Sequence, residues 1–149
     1  MIYPNTFDKL HIGPSGYPEE APEGDGAAAV VEWCHERGWD TMELAFVHSV
    51  WLKDSEAEKL AELSKKLKFP LSAHGSYYIN LASLEKPKIG ASRSRIIQGA
   101  KAIALAGGHS VVYHSAFMTG RDSTEVTQIV IEQTKKAVSY THLRAHETK

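Results

Sequence analysis

Short apolar, β-branched runs alternate with longer stretches of helical periodicity along this chain. That alternation constrains its fold more than any other feature. Leu10–Gly13, Thr41–Val47, Pro70–Gly75 and Ser110–His114 read as strands. Ala27 to Arg37 places Ala27, Val30, Val31 and Cys34 at helical spacing, and Gly38 stops the helix. Ser55 and Glu58 predict a capping box for a second helix running through Leu60, Leu63 and Leu67. A long loop from Ser76 to Gly90 holds Pro87. Ser92 or Ser94 then opens a third helix bearing Ile96, Ile97, Ala100, Ile103 and Ala104, which Gly107–Gly108 ends. Ser123 or Thr124 caps a fourth, with Val126, Ile129 and Val130 on its apolar side.

Strands that alternate with helices pair in parallel and are joined by crossovers. Four strand–helix units therefore predict an α/β fold. A closed barrel of eight units needs about 250 residues, and this chain has 149. The expectation is half a barrel. A four-stranded flavodoxin-like sheet is the structural alternative.

Bulk properties exclude several classes. The single cysteine, Cys34, rules out a disulfide framework and a cysteine zinc knuckle, and its apolar neighbours mark it as a small core residue. No apolar run is long enough to span a membrane, and the N-terminus lacks a signal-peptide pattern, so a cytoplasmic protein with no membrane partner is expected. The net charge of −1 gives no global attraction to nucleic acid. A DNA-binding face must then be a local patch, with Lys53, Lys65, Lys66, Lys68, Lys86, Lys88, Arg93 and Arg95 as candidates. Lysines beside glutamates, as in Glu62–Lys65–Lys66, read equally as a solvated helix face.

The last dozen residues do not match the rest. Val138–Lys149 resembles one reading frame of the adapter used in transposase-based DNA sequencing libraries. The expectation is a non-native tail at 138–149, an authentic chain ending near Ala137, and no meaning in the metal-like spacing of His142 and His146.

Two histidines carry the chemistry. His74 and His114 each end a strand-like run, and strand C-terminal ends are where barrels of this kind place their sites. Ser72 and His74 share one strand face, as do Val112 and His114. If both faces point to the barrel axis, the two imidazoles meet at its mouth and can hold a divalent metal. Two ligands fall short of the three or four that zinc takes from protein, so strand-end histidines bonded to backbone are the competing reading. His11 and His109 start strands, on the face associated with stability rather than chemistry.

The segment His74–Gly75–Ser76–Tyr77–Tyr78–Ile79–Asn80–Leu81 resembles the His-x-x-Tyr-x-Ile-Asn-Leu segment of the endonuclease IV family of apurinic/apyrimidinic endonucleases. Ile12–Gly16, Met42–Val47 and Val111–His114 are similar to that family's first, second and fourth strands, so the likeness covers nearly all of residues 8–137. It implies a TIM barrel of the xylose isomerase-like kind, of which this chain is the N-terminal half. It also implies an enzyme of DNA repair that hydrolyses the phosphodiester 5′ to an abasic site, with up to three zinc ions.

By that resemblance His74 and His114 are metal ligands, and Tyr77, Tyr78 and His48 contact double-stranded DNA carrying abasic sites. Glu43, Ser15 and Asn80 line the site. The remaining ligands lie beyond Ala137, so no catalytic residue is assigned within this chain and the fragment is expected to be inactive alone. No protein partner is implied. An aromatic wedge such as Tyr77 can fill the gap left by a missing base. Read without the resemblance, Tyr77 and Tyr78 simply cover the barrel top, Asn80 holds its loop, and Glu43 needs a partner that the sequence does not reveal.

The chain departs from the family pattern in three places. Gly75 replaces a frequent aspartate, Ser115–Ala116 replaces Pro-Gly, and Ser15 replaces a histidine found in some members. The competing function is a sugar isomerase or epimerase on the same barrel, using one divalent metal.

Overall fold

The computed structural model describes residues 9–24 and 26–145, with side chains described up to Ser139. Its elements run α1 (Gly26–Glu36), β1 (Met42–Ala45), α2 (Asp54–Leu67), β2 (Leu71–His74), α3 (Lys86–Leu105), β3 (Ser110–Val112) and α4 (Ser123–Ala145). The strands form one parallel sheet in the order β1-β2-β3. Ala45 is level with His74, and His74 with Val112. This is an open part of an α/β barrel.

The strand alternation decides which face is covered. In β1 and β2 every second residue is buried, and Met42, Leu44, Leu71 and Ala73 are each at most 1% exposed. They pack against Ala27, Val30, Val31 and Cys34 of α1, Ala57 and Leu60 of α2, and Ile103 of α3. Consecutive helices pack side by side on that face. The intervening residues, Glu43, Ala45, Ser72, His74 and Val112, look out from the opposite, uncovered face. Val112 is 52% exposed there. Gly108 shows how tightly the helix layer joins the sheet. A Cβ at this position would lie 2.5 Å from Ile103 Cγ1 and 2.8 Å from the Leu71 carbonyl oxygen, so only glycine fits.

Three expectations need correction. Leu10–Gly13 is not a strand. The chain touches β1 only through a parallel bridge at Ser15, where the Glu43 amide donates to Pro14 O and the Gly16 amide to Glu43 O. Pro14 has no amide to extend the ladder, and Leu10 and Ile12 stay 81% and 63% exposed. The third helix begins at Lys86, six residues before Ser92. Pro87 lies in its first turn, where proline is tolerated, and opens the helix instead of marking a loop. The caps also differ. Lys53 precedes α2 and makes no side-chain cap bond, and Asp122, not Ser123 or Thr124, caps α4 by accepting the amides of Thr124 and Glu125.

Helix α4 continues past Ala137, where the sequence reading ends the authentic chain, to Ala145. Ala137, 3% exposed, is the last buried residue described, and Val138 is 48% exposed. Among the described residues no helix is long and apolar enough to cross a membrane.

Candidate functional site

β2 ends at His74, and His114 lies two residues beyond the end of β3. Because β2 and β3 are hydrogen-bonded neighbours, the two side chains meet at the C-terminal edge of the sheet. Their ring centroids are 5.3 Å apart, with the planes tilted by 52°. Tyr77 packs against both, edge-on to His74 at 5.5 Å and tilted against His114 at 6.2 Å. His74 Nδ1 lies 2.9 Å from the Gly75 carbonyl oxygen. A carbonyl only accepts, so Nδ1 is the donor, and in the neutral ring Nε2 is the nitrogen with the lone pair. Fixing one ring nitrogen in this way prepares the other for a metal.

The loop after β2 is held from three sides. The Gly75 amide donates to Val112 O at 2.7 Å, Tyr77 to Val47 O at 3.0 Å and Leu81 to Ser115 O at 2.8 Å. Ser76 is 5% exposed; its hydroxyl donates to His48 O and accepts the Tyr78 amide. Ile79 and Leu81 are buried as anchors, which turns Tyr77 and Tyr78 outward, 54% and 58% exposed. Asn80 Oδ1 accepts the Ala82 amide in a local turn. Gly75 is close-packed: a Cβ there would stand 3.2 Å from Tyr113 Cβ.

The other predicted residues fall in two places. His48 is exposed and lies against Tyr78, with ring centroids 5.8 Å apart and planes 30° apart. Glu43 finds its partner in Ser15, whose hydroxyl donates to Glu43 Oε1 at 2.5 Å. Glu43 is level with Ser72, two residues below His74 on the same face. Among the described residues, no three His, Cys, Asp or Glu side chains gather around one point, so Glu43 does not join the histidines.

Two structural residues escaped the sequence reading. Ser92 lies inside α3, fully buried, where its hydroxyl accepts the Asn80 amide at 2.9 Å and donates to Lys88 O at 2.7 Å. Its one visible signal was a serine near a helix start, which reads as a cap. Arg121 donates to the Ala82 carbonyl from the loop after β3, and nothing in the local sequence announced that contact.

Residues 31–145 match the protein family described as xylose isomerase-like TIM barrel. The chain belongs to that family. One relative within reach of this xylose isomerase-like chain is an uncharacterized protein of Methanocaldococcus jannaschii, 36% identical over 118 residues, covering 79% of this chain and 41% of that protein. Among solved structures, endonuclease IV from Thermus thermophilus superposes with a TM-score of 0.63 at 21% identity, covering 85% of this chain and 46% of that one. A 3-keto-D-glucoside 4-epimerase from E. coli superposes with a TM-score of 0.66 at 19% identity, covering 90% and 54%. The chain spans about half the length of these proteins. An endonuclease and a sugar epimerase thus share its fold.

Proposed function

We propose that this chain is the N-terminal half of a zinc-dependent apurinic/apyrimidinic endonuclease, that this half occupies residues 1–137, and that 138–149 is foreign to it. The observation that carries the reading is the meeting of His74 and His114 at 5.3 Å, with Tyr77 packed on both. Two imidazoles, one with Nδ1 fixed on a carbonyl, suit zinc in chemical kind. They supply half of a tetrahedral set, and the rest would come from outside this chain.

His74 and His114 would hold the metal, which when bound supplies an activated water and stabilises the leaving oxygen of a phosphodiester. The chain's own residues do the binding and orienting. Tyr77 and Tyr78 present exposed aromatic faces beside the imidazoles, suited to stack where a base is missing. His48, beside Tyr78, faces the same approach. Ser15 holds Glu43 below the pair. Double-stranded DNA with an abasic site is the proposed partner.

The test is expression of the continuous source reading frame through its second half, followed by assay on a duplex with one abasic site. The expected result is chelator-sensitive nicking 5′ to the lesion, lost in His74→Ala. Metal-dependent epimerisation of a ketose, with no nicking, would overturn the reading in favour of a sugar epimerase.

A further inference from the structure

Helix α3 and the end of β1 enclose a cleft of about 150 Å³ beside the loop that carries Tyr77 and Tyr78. Phe46 lies at its base, 1% exposed, and Arg95, Gln98, His48 and Ser49 line it. Among the described residues no carboxylate lines this cleft. Among the described residues Arg95 has no carboxylate partner either. Its guanidinium carbon lies 5.7 Å from the Tyr78 ring centroid, within cation–π range. The same tyrosine ring takes the His48 imidazole. Tyr78 therefore holds two basic side chains beside one small cleft whose wall is part apolar, from Phe46 and Val50, and part polar. Gln98 donates one amide hydrogen to Ser94 Oγ and keeps the second.

A guanidinium with several N–H donors, an imidazole, a hydroxyl and an amide, with no acid near, form a receptor for a tetrahedral oxyanion. We propose that this cleft binds a phosphate group, with Arg95 as its principal ligand and His48, Ser49 and Gln98 completing the shell. The inference deepens the endonuclease reading, for which the phosphate would be a backbone diester flanking the lesion. It also stands apart from that reading, because a phosphorylated sugar offers the same chemistry. The loop joins the cleft to the imidazole pair: Ser76 bonds the His48 carbonyl, and Tyr77 touches both histidines. A phosphate in the cleft would place its substituents within reach of the sheet edge.

The experiment titrates the purified 149-residue chain with inorganic phosphate, then with a short abasic duplex and with fructose 6-phosphate. The readouts are the His48 ring and Arg95 Nε–H resonances. Saturable shifts in both are expected with inorganic phosphate. Arg95→Gln should weaken binding about tenfold or more, the scale of a lost charge-assisted hydrogen bond. Gln98→Glu, at an exposed helix position, puts a like charge in the cleft and should do the same if Arg95→Gln disturbs folding. With inorganic phosphate weakened in the variants, a parallel loss for the duplex but not for fructose 6-phosphate assigns the phosphate to nucleic acid. A parallel loss for fructose 6-phosphate but not for the duplex keeps the cleft and sinks the endonuclease reading. Inorganic phosphate binding equally tightly to wild type and both variants, or leaving His48 and Arg95 unmoved, overturns the proposal.

Discussion

The imidazoles of His74 and His114 lie 5.3 Å apart at one edge of a parallel sheet, although helix α3 separates them in the chain. Adjacency of β2 and β3 brings them together, and the Gly75 carbonyl selects which nitrogen of His74 stays open. Sheet topology alone thus brings the pair together.

Zinc added to the 149-residue chain is expected to shift the ring resonances of His74 and His114 together, at weak affinity and reversibly with EDTA. His74→Ala or His114→Ala should remove the response of both rings. No nicking of an abasic duplex is expected from this chain. Robust chelator-sensitive cleavage would show that a complete metal site forms within it.

Ser92→Ala should cost about 1–3 kcal/mol in urea unfolding, because the Asn80 amide loses its acceptor. Shifts confined to residues 78–82 and α3 would accompany it. An unchanged unfolding midpoint would mean that water replaces the hydroxyl without loss.

Leu60 is fully buried between α2 and the sheet. Leu60→Ala is expected to cost about 2–5 kcal/mol, transfer and cavity together. A cost under about 1 kcal/mol would mean that the helix layer is loosely packed.

The Tyr17 phenol is pushed up to about 12, first by burial and then by the Glu56 carboxylate. An unfolded tyrosine ionises near 10. Its contribution to stability is therefore fully present below about pH 10 and is lost as pH rises from there towards 12. Absorbance titration at alkaline pH should show a late phenol that Tyr17→Phe removes and Glu56→Gln brings down. Six tyrosines titrating as one group would refute it.

Deleting residues 138–149 should leave the unfolding free energy within about 1 kcal/mol of the full chain, since Ala137 is the last buried residue among those described. A larger loss would make the end of α4 an integral part of the fold.

The α/β class and the helix layer were legible because burial follows period: Val30, Val31 and Cys34 on α1, and Met42 and Leu44 on β1, are buried as their spacing requires. The meeting of His74 with His114 was readable as well, since parallel neighbours in sequence order place their C-terminal ends together. The first strand was not, because Leu10–Gly13 has a strand's composition yet finds no ladder beyond the Ser15–Glu43 bridge. The start of α3 was misjudged at Pro87, a residue that ends helices from within and begins them from the first turn. Ser92, Arg121 and the Arg95 cleft depend on contacts between segments distant in sequence, which no local pattern encodes.

The segment from Gly75 to Ala82 has no regular structure at its centre, yet its amides are used one after another. Gly75, Tyr77, Ile79 and Leu81 donate to backbone carbonyls, and Tyr78, Asn80 and Ala82 to side-chain oxygens. Those acceptors come from the loop after β1, the end of β3 and the loop that follows it, α3 and the segment itself. Hydrogen exchange at Tyr77 and Leu81 should then be slow, because releasing either amide means parting this segment from the loops after β1 and β3. The aromatic tips that face outward thus ride on a base tied to both neighbouring loops and to α3, so their placement outlasts the motions of a free loop.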